Sequence, residues 1–100
     1  MIKFTATWCG PCKAIEPLFA DFAQQAEIRR SGTPLKIIVL DVDDNFDVYA
    51  DFKKRKLVPG IPGILLYQCG TRNPHAPDEI CIGAGKNDIV RLFTKALNLA

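Results

Sequence analysis

Apolar and polar positions change period several times along this chain, and each change marks an element. Residues 2–7 alternate, with Ile2, Phe4 and Ala6 on one side and Lys3 and Thr5 on the other, which is the two-residue period of a strand. From about Pro11 to Ala26 the period lengthens: Ile15, Leu18, Phe19, Phe22 and Ala26 recur at helical spacing and form one apolar stripe. Pro11 suits the first turn, where its missing N–H costs nothing, whereas Pro17 falls inside the pattern and predicts a kink. Ser31-Gly32-Thr33-Pro34 predicts a turn. The run Lys36 to Val42 is β-branched and almost unbroken in its apolar residues, so it predicts a central strand buried on both faces. Asp43-Asp44-Asn45 can cap a short helix over about Phe46 to Lys54, with Val48, Tyr49 and Phe52 inward. Leu57 to Pro62 holds Pro59, Gly60 and Pro62 and predicts irregular structure. Ile64 to Tyr67 reads as a third strand, Gly70 to Asp78 as a long hairpin loop and Glu79 to Ile82 as a fourth strand. Asn87 or Asp88 then caps a last helix, with Ile89, Phe93, Ala96, Leu97 and Ala100 on one face.

The resulting order is β-α-β-α-β-β-α, with no repeat, low-complexity tract or linker. It predicts one α/β domain over residues 1–100: a four-stranded mixed sheet with helices on both faces, its first two strands parallel and its last two an antiparallel hairpin. A chain of 100 residues is long enough to bury a core of its own. The net charge of +2 and the single short basic cluster Lys53-Lys54-Arg55-Lys56 at a helix end give no nucleic-acid footprint. No apolar run is long enough to span a bilayer and no leader pattern precedes the first strand, so the protein is either intracellular or has had a leader removed; the expected setting is cytoplasmic, without a membrane. Four cysteines are too few for a disulfide scaffold at this size; in a reducing compartment such cysteines serve catalysis or metal binding.

The chemistry concentrates in Trp8-Cys9-Gly10-Pro11-Cys12-Lys13. A strand here delivers Cys9 to the first turn of a helix, where backbone N–H groups are unpaired and an anion is favoured. The thiolate is the nucleophile, so such a place raises reactivity near neutral pH. A second thiol three residues on lies one turn away, close enough to close a disulfide with the first. Cys9 is therefore read as the more exposed attacking thiol and Cys12 as the more buried resolving one. A zinc half-site is the competing reading, but the remaining ligands, Cys69, Cys81 and His75, lie at unsuitable spacing, and no metal is expected. Cys69 and Cys81 flank the long loop and would either pair, stay free or, for Cys69, take regulatory oxidation. His75 reads as an exposed loop residue.

These residues resemble the thioredoxin family. The match rests on Trp8-Cys9-Gly10-Pro11-Cys12-Lys13, on Ile15 and Pro17 in the following helix, on Gly60-Ile61-Pro62 before the third strand and on Gly83-Ala84 after the fourth. The resemblance implies a cis Ile61–Pro62 bond beside the thiols, with the backbone ahead of the proline free to pair with an extended substrate. It implies a substrate groove formed by Trp8, Gly10, Pro11, Gly60, Ile61, Pro62, Gly83 and Ala84 around the redox-active pair Cys9 and Cys12, with Trp8 on the surface rather than in the core. Three departures stand beside it. The family's first strand and first helix have no counterpart ahead of Cys9. Lys3 takes the place of a buried acid, and Val39 that of the lysine paired with it. A lysine at that place is expected to lead its ammonium out to solvent along its stem.

The expected activity is thiol–disulfide exchange, reducing protein disulfides with no bound cofactor. Electrons would come from a thioredoxin reductase-like flavoenzyme with NADPH; glutathione, as in glutaredoxins, is the alternative donor. The expected partners are disulfide-containing proteins and that reductase, and the chain is expected to act as a monomer. A binding module whose thiols are dispensable is the competing class, since fold alone does not guarantee activity.

Overall fold

The structure is a computed structural model that describes residues 1–28, 36–68, 70 and 72–99. Strand β1 (Ile2–Thr5) pairs in parallel with β2 (Ile38–Asp41) and antiparallel with β3 (Gly63–Leu66), and β3 pairs antiparallel with β4 (Glu79–Ile82). The order across the four-stranded sheet is β2-β1-β3-β4, so β1 and β3 are the central strands. All four positions of β3 are buried, which is what its unbroken apolar sequence requires.

β2 departs from its expected place. It is an edge strand, with Ile38 and Val39 43% and 54% exposed. Its apolar run matches that of a two-faced buried strand, but hydropathy cannot count neighbours: among the described residues only β1 lies beside it.

The first helical stripe is divided into α1 (Gly10–Ala14) and α2 (Glu16–Ile28), with the break at Ile15. Pro17 supplies the cause, since it has no N–H for the Lys13 carbonyl and its ring crowds that oxygen. Helix α3 (Phe46–Lys54) turns Phe52 into the core and rests Tyr49 on it, while Val48 on the first turn is exposed rather than inward. Lys53 and Lys54 close α3, where positive charge suits the helix dipole. Helix α4 (Lys86–Leu99) begins earlier than the side-chain caps suggest: the Gly85 carbonyl accepts the Ile89 N–H, and Asn87 and Asp88 lie inside the first turn. The turn at Ser31 to Pro34 and residues Cys69, Thr71 and Ala100 lie outside the described residues.

Two cores form on the two faces of the sheet. On one, Ile15, Phe19 and Phe22 meet Ile64, Leu66, Ile89, Leu92, Phe93 and Ala96 under α2 and α4. On the other, Phe4, Ala6, Val42, Phe52, Val58 and Leu65 enclose Cys9 and Cys12 beside α3. Among the described residues no helix is long and apolar enough to cross a membrane.

Candidate active site

β1 ends at Thr5, and the chain turns sharply, with the Cys9 N–H donating to the Ala6 carbonyl at 3.2 Å. Cys9 is then the N-cap of α1, in extended backbone conformation, and its carbonyl accepts the Lys13 N–H at 3.2 Å. Its Sγ accepts the Cys12 N–H at 3.1 Å, the place a serine or aspartate oxygen takes in ordinary caps. The same sulfur is bonded to Cys12 Sγ, with the two Cα atoms 5.2 Å apart. Cys9 is the more accessible of the two at 5% exposure against 0% for Cys12, although both belong to the core. Gly10 and Pro11 are exposed at the head of α1, and Lys13 is exposed in its last turn.

Trp8 projects from beside this pair, 66% exposed, so the core reading of this residue is set aside. Its Nε1 donates to Asp43 Oδ2 at 2.9 Å, and the Asp43 N–H donates to Asp41 Oδ1 at 2.8 Å. Asp43 reads in the sequence only as a candidate helix cap; its hold on Trp8 depends on the β2–α3 loop folding beside the cysteines, which no local pattern announces.

The peptide bond between Ile61 and Pro62 is cis. Ile61 packs against the cluster that holds both cysteines, and among the described residues its N–H and C=O have no backbone partner. The Pro62 carbonyl accepts the Gly83 N–H at 2.8 Å, which ties the two small-residue loops together. Gly83 has φ +94°, a conformation that favours glycine. Gly63 is required for space instead: a Cβ there would meet Val58 Cγ1 at 2.7 Å. Nothing lies within 4 Å of a Cβ added to Gly60, so its space is open. Ala84 is placed apart, resting on the α2–α4 core rather than on the cluster around the cysteines.

Lys3 corrects its expectation. It is only 4% exposed, and its Nζ lies 4.5 Å from the centre of the Phe19 ring instead of reaching out to solvent. The β1 pleat points it under α2, where an aromatic face offers the ammonium a partner. Burial lowers the Lys3 pKa, and the carboxylate of Glu16 acts in the opposite direction.

The other candidates lie elsewhere. Cys81 is a buried thiol that sits opposite Ile64 in the β3–β4 ladder and is unbridged among the described residues; Cys69, the expected partner, is outside them. Burial raises the Cys81 pKa, and Asp88 adds to the effect, which makes this thiol a poor nucleophile. His75 is not simply exposed: its Nε2 lies 2.6 Å from Asp51 Oδ2, and its ring sits 5.4 Å from that of Phe52. It therefore fastens the β3–β4 loop to α3. Among the described residues no three His, Cys, Asp or Glu side chains gather as metal ligands.

The family model that matches this chain is that of thioredoxin, over residues 1–94. The chain is 38% identical to a thioredoxin of Mycolicibacterium smegmatis over 98 residues, covering 97% of this chain and 77% of that protein. It is 36% identical to the chloroplastic thioredoxin X of Arabidopsis thaliana over 86 residues, covering 86% of this chain. It spans only 42% of the length of that plant protein. Among solved structures, a thioredoxin of Nicotiana alata superposes with a TM-score of 0.68 at 25% identity, over 95% of this chain and 70% of that one.

Proposed function

This chain belongs to the thioredoxin family, and on that premise we propose that it is a thiol–disulfide oxidoreductase that reduces protein disulfides. The observation that carries the reading is the Cys9 sulfur at the N-cap of α1, bonded to Cys12 and accepting the Cys12 N–H. In the reduced protein that N–H faces a thiolate, and a charge-assisted hydrogen bond favours the ionised form. Cys9⁻ attacks one sulfur of a substrate disulfide; the substrate S–S bond breaks, and its other sulfur leaves as a thiolate. Cys12 then attacks Cys9, closes the Cys9–Cys12 bond and releases the second substrate sulfur. Two electrons pass from the dithiol to the substrate.

Trp8 and the backbone of Ile61, unpaired among the described residues, supply the surface against which an extended substrate docks, with Gly10, Pro11, Gly60, Pro62 and Gly83 keeping that surface low. Ala84, which rests on the α2–α4 core, is left out of that surface. The partners are disulfide-containing proteins and a flavoenzyme of the thioredoxin reductase type, which returns electrons from NADPH. Glutathione is the alternative source, and the chain acts as a monomer in the cytoplasm. The binding-module reading draws on one observation, the open edge of β2 with exposed Ile38 and Val39.

Reduction of insulin disulfides separates these readings. The wild-type chain, supplied with NADPH and thioredoxin reductase, is expected to precipitate the insulin B chain, and Cys9→Ser to fall to the uncatalysed background. A folded Cys9→Ser protein that kept the wild-type rate would reject the exchange reading.

A further inference from the structure

β4 is an edge strand that the exchange steps above leave without a task. We propose that it is an interface: two copies of this chain pair reversibly, β4 against β4 in antiparallel, and join their sheets across a two-fold axis at Cys81. The inference goes beyond the exchange reading, since Cys9 and Cys12 need one chain only. The single chain stays the acting form, and pairing sets in where the chain is concentrated.

The ladder decides which groups face outward. The Gly83 N–H donates to the Pro62 carbonyl at 2.8 Å, and Cys81 stands opposite Ile64. Antiparallel pairs alternate between bonded and non-bonded, so Gly83, Cys81 and Glu79 turn their N–H and C=O to β3, while those of Ile80 and Ile82 point to the open edge. Among the described residues no backbone hydrogen bond outside the ladder reaches either isoleucine. Edge strands are ordinarily blunted by a lysine, a proline or an inward charge; here the outward positions hold isoleucines that are 41% and 39% exposed. Their side chains lie on the face opposite Cys81, which belongs to the α2–α4 core.

Symmetry narrows the register. A two-fold axis normal to the sheet keeps each face on its own side, so residues opposite one another must share the same side of the pleat. Centring on Ile80 sets Glu79 against the partner's Cys81 and presses a carboxylate on an apolar core. Centring on Ile82 sets Ile80 against the partner's Ala84, past Gly83, whose φ of +94° ends the strand. Centring on Cys81 sets Ile80 against the partner's Ile82, and the converse, both as hydrogen-bonded pairs. Glu79 then lies against the partner's Gly83, where no side chain obstructs it. Beyond Glu79 the strand is bulged, since the Asp78 N–H also donates to the carbonyl of Leu66, which Glu79 faces.

The charges agree with this register. α4 runs back along β4 with Lys95 beside Glu79, and the two elements enclose a groove of about 240 Å³. Toward its other end Arg91 meets Asp88 only at 3.6 Å and is 81% exposed. The partner's Glu79, entering beside Gly83, brings a second carboxylate to that end, so Arg91 is shared between two acids. The two-fold axis repeats the contact. Each strand contributes only four residues, short of the ~1,000 Å² that a lasting complex buries, so the expected dissociation constant is about 0.1–1 mM.

Sedimentation equilibrium of the oxidised full chain from about 0.02 to 2 mM reads the association. Intermolecular NOEs in a mixture of 13C-labelled and unlabelled chain read the register. The mean mass should rise toward that of two chains, with NOEs from the Ile80 methyl groups of one copy to the Ile82 methyl groups of the other. Ile80→Lys places a charge on the edge and should weaken pairing about tenfold or more. Arg91→Glu and Glu79→Arg alone should each weaken it about threefold, because like charges then meet at both ends. An equal mixture of those two variants should pair as tightly as wild type, because the exchanged charges meet. A mass that stays that of one chain up to about 2 mM overturns the proposal. So do NOEs through Ile38 and Val39 of β2 instead, or a mixture that pairs no better than either variant alone. The wild-type mass and NOEs need no substitution, so they decide even where a variant fails to fold.

Discussion

On one face of the sheet Phe22 stacks on Phe93 with ring centres 4.0 Å apart, and Phe19 meets both edge-on. On the other face Phe4 and Phe52, 5.5 Å apart, close over a pocket of small groups: Ala6, Val58 and the two cysteines. The first core is made by helix stripes pressed on a sheet and holds the molecule together by buried aromatic area. The second is assembled largely from chain turns, and its chemistry depends on backbone placement at Cys9, Ile61 and Gly83 and on the absence of a side chain at Gly63. Stability and reactivity are thus carried mainly by opposite faces of the sheet, and Lys3 reaches from β1 toward the first.

The largest test of that division is Phe93→Ala. Deleting a buried aromatic ring that touches Phe19 and Phe22 should cost about 3–5 kcal/mol. Urea unfolding should show the loss, while the protein that remains folded reduces insulin at the wild-type rate. A collapse of exchange in the folded fraction would mean that the two faces are not separable.

Gly63→Ala is the intermediate case and strikes the other face. The added methyl would lie 2.7 Å from Val58 Cγ1, so the loop must shift at a cost of about 1–3 kcal/mol. Here stability and exchange should fall together, because Pro62 and Ile61 precede the displaced residue. An unchanged rate in insulin reduction would show that the Ile61 backbone does not dock substrate.

The smallest effect is expected at Asp51, on the outside of the second core. His75, and then Arg55, hold its carboxyl below the usual carboxylate range. A depressed folded-state pKa stabilises above the unfolded value and is lost as pH falls through the folded one. Wild type should therefore be slightly more stable than Asp51→Asn near neutral pH, and the difference should vanish in acid, once pH has fallen below the lowered folded-state value. Urea midpoints at the two pH values check this; a difference that persisted in acid would remove the ion pair as its cause.

Much of this was legible in the chain. The period changes locate every described element to within a few residues, because α2, α4 and β3 each bury a face that their sequence must supply. Pro17 foretells the break at Ile15, and the resemblance foretells the cis bond ahead of β3. What stayed hidden depends on neighbours remote in sequence. Ile38 and Val39 look like interior residues, yet among the described residues no strand lies beyond them. Lys3 looks like a surface lysine, yet Phe19, sixteen positions away in sequence, lies over it. Asp43 and His75 gain their partners, Trp8 and Asp51, only when loops from distant segments meet.

The central claim is that Cys9 and Cys12 form a dithiol poised to reduce other disulfides. Its most direct test is the reduction potential of that pair, read by equilibrating the purified chain with graded glutathione or dithiothreitol buffers and counting alkylated Cys9 and Cys12 by mass spectrometry. A single two-electron transition at or below about −230 mV, toward the roughly −270 mV of thioredoxin, is the predicted result. A transition above about −180 mV, where disulfide isomerases and oxidants lie, would contradict the reductase account.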